Sequence, residues 1–314
     1  MSTELQPFNP STPPPVQVGS STLLESFLSG RSGTTLKAYQ GDIADFTSFR
    51  GMADPVAALE GLLSGGPGAA NAVMLAYKAN LMNRGLKSAT VNRRLAALRS
   101  VVKLARTLGM VTWALEVSGL RHEPYRDTRG TGRDGYKALL AQAERQKPGK
   151  RERDLAILHM LYDLALRRGE IASLDLADLD MNKGVLAVKG KGRTEKQLMT
   201  LPQPTLNALS AWVEVRGDGS GALFTNFDRA GKGERLTGAA IFYLVRRFGK
   251  KAGLVARPHG LRHAAITEAL DLTGGDVRKV QKFSRHRDLR TVCLYDDCRE
   301  DVGRQVAALV AGEN

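Results

Sequence analysis

The chain has 314 residues, 42% hydrophobic and 6% aromatic, enough for two moderate cores, with a formal charge of +14. A basic excess on this scale sets up a long-range field that draws in polyanions, so nucleic acid and membrane surface are the partners to weigh. Membrane anchoring and secretion find no support: no apolar run approaches the ~18 residues of a span, and the amino terminus lacks the basic start and apolar stretch of a signal peptide. Cys293 and Cys298 are the only cysteines and have neither disulfide-framework nor metal-ligand spacing. The expectation is a cytoplasmic, nucleoid-associated protein with no membrane contact, no metal and no cofactor.

Residues 1–20 hold five of the twelve prolines and almost no charge, a composition that cannot repay the entropy of ordering, and are expected to be a disordered arm. A helical domain is expected over 21–120. SSTLLESFLSG opens it with serines able to cap, and GTTLKAYQGDIADFTSF spaces Leu36, Tyr39, Ile43 and Phe46 by threes and fours. SGGPGAA reads as a turn before a helix beginning near Asn71.

The stretch 81–106, LMNRGLKSATVNRRLAALRSVVKLAR, is expected to form one helix and carries seven Lys or Arg and no acid. With Ser88 as N-cap, Val91, Leu95, Leu98, Val102 and Ala105 make one apolar stripe, and Asn92, Arg99, Lys103 and Arg106 fall beside it. Solvated basic faces usually mix in Glu for i,i+4 pairing. Its absence here points to phosphate contact, with Arg93 and Arg94 as further candidates off the stripe.

Residues 121–135, RHEPYRDTRGTGRDG, read as a linker. The second domain, 136–314, is expected to place helices at 136–145, 151–166, 203–214 and 236–252. Between the second and third, MNKGVLAVKGKGRTEKQLMTLP alternates as strand, turn and strand. The fold class is therefore mainly α with a small β-hairpin.

Within RPHGLRHAAI, His259 and Arg262 are three apart and share one helix face. An isolated pair of this kind is as often a structural cap as a site. Here it has company: Arg167, Arg168 and Glu170 upstream, Lys191 at the tip of KGKGR, and His286 nine residues before Tyr295. Arg168 and His263 stand beside these groups and read as structural.

Arg, Lys, His-x-x-Arg, His and Tyr in this order resemble the signature of the tyrosine recombinase (phage integrase) family, over about residues 21–314. ALRRGEI is similar to the family's first arginine box, VKGKGRTEK to its lysine hairpin, PHGLRHAAIT to its second box, and the His286–Tyr295 segment to its nucleophile segment. TTLKAYQGDIADF and SATVNRRLAALRSVVKLA look like its helical core-binding domain. Two details depart from the pattern: Arg285 stands where a glycine is common, and Asp296 and Asp297 follow the nucleophile.

The resemblance implies a helical DNA-gripping domain and a mixed α/β catalytic domain of Xer-like or Cre-like architecture. It makes Arg167, Lys191, His259, Arg262, His286 and Tyr295 the catalytic set. The two arginines would hold the phosphodiester's non-bridging oxygens, His259 would take the proton of Tyr295, and His286 would hydrogen-bond the phosphate. Lys191 would protonate the departing 5′-oxygen, and Glu170 would orient the cluster. Also implied are a 3′-phosphotyrosyl intermediate needing no ATP or metal, and double-stranded DNA with paired sites. Four protomers would exchange strands through a Holliday junction. The tail, with Asp301 as cap and Val302, Val306, Ala307 and Leu309 on one side, would dock on its own domain or on a neighbouring protomer. A type IB topoisomerase and a non-cleaving DNA-binding regulator are the alternatives.

Overall fold

A computed structural model describes residues 19–31, 33–121, 130–190, 195–227, 231–296 and 307–312. The chain divides into two compact units, Met1–Pro124 and Tyr125–Asn314. It is mainly helical with one small sheet, as the sequence pattern indicates.

The first unit is built from α1 (Ser20–Leu28), α2 (Gly33–Phe49), α3 (Pro55–Leu63), α4 (Gly66–Asn83) and α5 (Ser88–Thr107). Asp54 caps α3, its carboxylate accepting from the Val56 and Ala57 amides at 3.0 and 3.2 Å. The helix α4 begins at Gly66 rather than near Asn71, because Pro67 in the first turn has no amide to lose there. The stretch 81–106 is not continuous: α4 ends at Asn83, and Gly85 turns the chain at a φ of 68° that glycine adopts freely. Ser88 is the first helical residue of α5, and the N-cap is Lys87, without a side-chain cap bond. The stripe Val91, Leu95, Leu98, Val102 and Ala105 is fully buried against Leu23, Phe27, Phe46 and Tyr77.

The second unit comprises α6 (Gly132–Glu144), α7 (Lys150–Tyr162), α8 (Arg168–Ala172), a 3-10 turn at Leu176–Asp178, β1 (Leu179–Asp180), β2 (Val185–Lys189), β3 (Lys196–Thr200), α9 (Gln203–Arg216), α10 (Gly238–Lys251), α11 (Pro258–Leu272), α12 (Val277–Ser284) and α13 (Leu289–Asp296). At its centre α7 buries Ile157, Leu158, Met160 and Leu161, with α6, α9 and α11 packed round it. It stops at Tyr162, short of the expected 166, because the chain kinks at Ala165, whose φ is 46°. The expected hairpin pairs β2 with β3 antiparallel, Val185 opposite Thr200 and Lys189 opposite Lys196, and β1 adds a third strand beside β2. Leu186 and Val188 point from β2 into the core, as period-two alternation requires.

Among the described residues no helix is long and apolar enough to cross a membrane. In the tail, 307–310 form a helical turn with Leu309 and Val310 exposed, and Asp301, Val302 and Val306 lie outside the described residues.

Candidate active site

Four segments of the second unit converge. The turn after α7 delivers Arg167 as N-cap of α8, with Glu170 in the first turn. Pro258 opens α11, a position that forfeits no helical hydrogen bond, and the next turns carry His259, Arg262 and His263. The end of α12 and the turn after it supply Ser284, Arg285 and His286, and α13 supplies Tyr295.

Glu170 accepts from the Arg167 amide at 2.9 Å and from the Arg167 guanidinium, also at 2.9 Å. Its second oxygen also accepts from Arg285 Nη2 at 2.7 Å. Burial alone would raise the Glu170 carboxyl, but Arg285 and Arg167 outweigh it and hold the group below the ordinary carboxylate range. Arg167 is the partly open member, with 32% of its side chain exposed.

Arg262 is 1% exposed. It donates to the Ala165 carbonyl, to the Ser284 carbonyl at 2.5 Å and to His286 Nε2 at 3.1 Å. The left-handed kink at Ala165, uncommon for a residue with a Cβ, brings that carbonyl to the guanidinium. Burial, then the charge of Arg167, bring the Arg262 pKa down to about 10. Because Arg262 can only donate, His286 Nε2 accepts, so the imidazole proton sits on Nδ1 and donates to Ser284 Oγ at 2.9 Å. His286 is neutral, its pKa pushed down to about 4 by burial and by the nearby arginines.

Tyr295 is 5% exposed. Its ring stacks on His263 with centroids 4.4 Å apart, and its hydroxyl lies 3.5 Å from His263 Nε2. That same nitrogen is 2.9 Å from His259 Nε2. His263, read from the sequence as structural, therefore stands between the two groups expected to exchange a proton. Burial pushes its pKa down to about 4 and lowers that of His259. Arg168 stacks its guanidinium 5.3 Å from the Phe242 ring centroid.

Arg167, Glu170, His259, Arg262, His286 and Tyr295 are thus gathered in one site, and Lys191 lies outside the described residues. The carbonyls of Ala165 and Ser284 that Arg262 meets leave no signal in the sequence, because a backbone acceptor belongs to every residue type. Among the described residues no three His, Cys, Asp or Glu side chains gather as metal ligands would.

In the first unit, Asn92 is bound at both ends to Leu120, donating to its carbonyl at 2.9 Å and accepting from its amide at 2.6 Å. Arg93 pairs with Asp42 at 3.0 Å and Arg94 with Asp45 at 2.7 Å. These three side chains are engaged in holding α5 to its surroundings. Lys103 and Arg106 are exposed and Arg99 is half-buried.

The model of the phage integrase family matches residues 131–301, more than half of the chain. A tyrosine recombinase of Synechocystis (slr0733) is 42% identical over 245 residues, covering 76% of this chain and 78% of its own length. The chain belongs to the tyrosine recombinase family. A second tyrosine recombinase, of Synechococcus elongatus, is 41% identical over 278 residues, covering 86% of this chain and 87% of its own. Among solved structures, the fold of this recombinase is similar to that of XerH bound to a palindromic difH substrate after cleavage. That match has a TM-score of 0.67 at 18% identity and covers 93% of this chain and 85% of the other. A lambda integrase dimer on a core site matches with a TM-score of 0.66 at 17% identity, covering 90% and 96%. As a tyrosine recombinase, the protein is a DNA strand-breaking and rejoining enzyme.

Proposed function

We propose that this recombinase exchanges strands between paired sites in duplex DNA through a 3′-phosphotyrosyl intermediate on Tyr295. The observation that carries the reading is the convergence of Arg167, His259, Arg262 and His286 on the buried Tyr295 in a site rich in positive charge. Arg167 and Arg262 bind the non-bridging oxygens of the scissile phosphate. The buried Arg262 Nε, which has no partner among the described residues, supports this as a donor still to be matched. Tyr295 Oη attacks phosphorus, and the P–O5′ bond breaks. The phenolic proton passes to His259 by way of His263, whose Nε2 lies between the two, and Lys191 protonates the departing 5′-oxygen. An anionic phosphate favours the imidazolium, so its arrival raises the depressed basicity of His259 and His286 where it is needed.

One ester is exchanged for another, so the link stores the bond energy for religation. The first unit grips the duplex through Arg99, Lys103 and Arg106. Four protomers on two sites exchange strands through a Holliday junction in the cytoplasm, on the nucleoid. Sequencing DNA fragments covalently trapped on the protein tests the reading: one recurrent site is expected, and its absence, or scattered cuts, would favour a topoisomerase-like activity. Tetramers should appear on paired sites when complexes are sized, and monomers alone would count against strand exchange.

A further inference from the structure

Arg285 occupies the turn between α12 and α13 at a φ of 56°, a left-handed conformation that glycine takes freely and a residue with a Cβ does not. Its side chain is 5% exposed, and its Nη2 lies 2.7 Å from an oxygen of Glu170, itself 4% exposed. Burying a guanidinium and a carboxylate together is favourable only when both are well hydrogen-bonded. The same Glu170 oxygen accepts the Arg167 amide, and the other accepts Arg167 Nη1. Arg285 is thus tied to Arg167 through one shared carboxylate.

On its other side, the segment is held by Arg262, which donates to the Ser284 carbonyl and to His286 Nε2. Three consecutive residues, Ser284 to His286, are clamped between the two arginines assigned to the phosphate.

We propose that Arg285 is a positioning residue: through Glu170 it fixes Arg167 relative to His286, a tie that glycine at this position would not provide. The inference rests on the assignment of Arg167 to the scissile phosphate. Glu170 faces Arg167 from the α8 turn, Arg285 from the α12–α13 turn and the charge of Arg262 from α11. Removing Arg285 withdraws the largest of the charges offsetting its burial, so the carboxyl should protonate at higher pH and release Arg167.

The test is single-turnover cleavage by the full-length protein, across pH, of a nicked duplex bearing the site recovered from trapped fragments. R285G should cleave about ten- to a hundredfold more slowly, bind the duplex within twofold of wild type, and move the acid limb of the rate to higher pH. R285K should recover most of the loss, and the double variant R285G/E170Q should be no slower than E170Q. R285Q, which keeps a polar side chain and the Cβ without the charge or the reach to Glu170, serves as a second variant and should show the same limb shift. A wild-type rate and acid limb in R285G or R285Q would overturn the proposal, as would failure of both to fold, since Arg285 would then serve the fold alone. R167A separates the two levels: if it cleaves normally, the site assignment itself is wrong.

Discussion

Arginine is used in opposite ways in the two units. In the first, Arg84 and Arg94 both pair with Asp45, which also accepts from the Tyr77 hydroxyl at 2.8 Å, and Arg93 pairs with the buried Asp42. The charges there come close to balance: Arg93 and Arg94 pin α5 to α2, and Arg84 ties the end of α4 to it. In the second, Arg167 and Arg285 share Glu170 while the deeply buried Arg262 leans on neutral carbonyls and a neutral histidine. A buried excess of positive charge is unfavourable unless an anion completes it. Spare charge, more than the number of arginines, sets the second cluster apart from the first.

The contrast can be broken most forcefully at Arg262. R262A should reduce cleavage by at least about 10²–10³-fold, on the scale of a lost oxyanion donor, while duplex binding persists. Single-turnover cleavage and a binding titration check this, and undiminished cleavage would return Arg262 to a structural role. Asp45 should behave in the reverse manner. D45N strips partners from Arg84, Arg94 and Tyr77, so denaturant unfolding should show a loss of about 1–3 kcal/mol with the chemical step unchanged at saturating protein.

On the outer side of α5, replacing Arg99, Lys103 and Arg106 by Gln should weaken binding to all sequences. It should also flatten the salt dependence by about one unit per lost phosphate contact. An unchanged slope would return these side chains to ordinary solvation.

The smallest effect concerns the histidines. His263 and His286, with pKa values near 4 in the folded chain, stay neutral where the unfolded chain, at ~6.5, takes up protons. Their burial therefore costs no stability above about pH 6.5, and stability falls as pH drops from there towards 4. Thermal melting should be lower at pH 5 than at pH 7.5, with a shallower difference in H263N or H286N.

The side-chain cluster is legible in the sequence because the family pattern that the chain resembles names particular residue types in a particular order, and the fold brings Arg167, His259, Arg262, His286 and Tyr295 together. The α5 stripe was legible for a different reason: burial at helical period forces Val91, Leu95 and Leu98 to be apolar. What escaped the sequence depends on long-range pairing. Nothing near Arg93 and Arg94 announces Asp42 and Asp45, some fifty residues away, so the sequence alone does not reveal that these arginines are paired. Similarly, β1 spans two residues, too few for any alternation, and the end of α7 is set by the kink at Ala165 that reaches Arg262 across the unit.

The central claim is that Tyr295 is the group that joins DNA. Its most direct test is peptide mapping by mass spectrometry of protein trapped on nicked duplex, alongside Y295F. The account predicts a nucleotide adduct on the α13 peptide at Tyr295, and none in Y295F, although that variant still binds duplex. An adduct on another residue, or adducts persisting in Y295F, would contradict it.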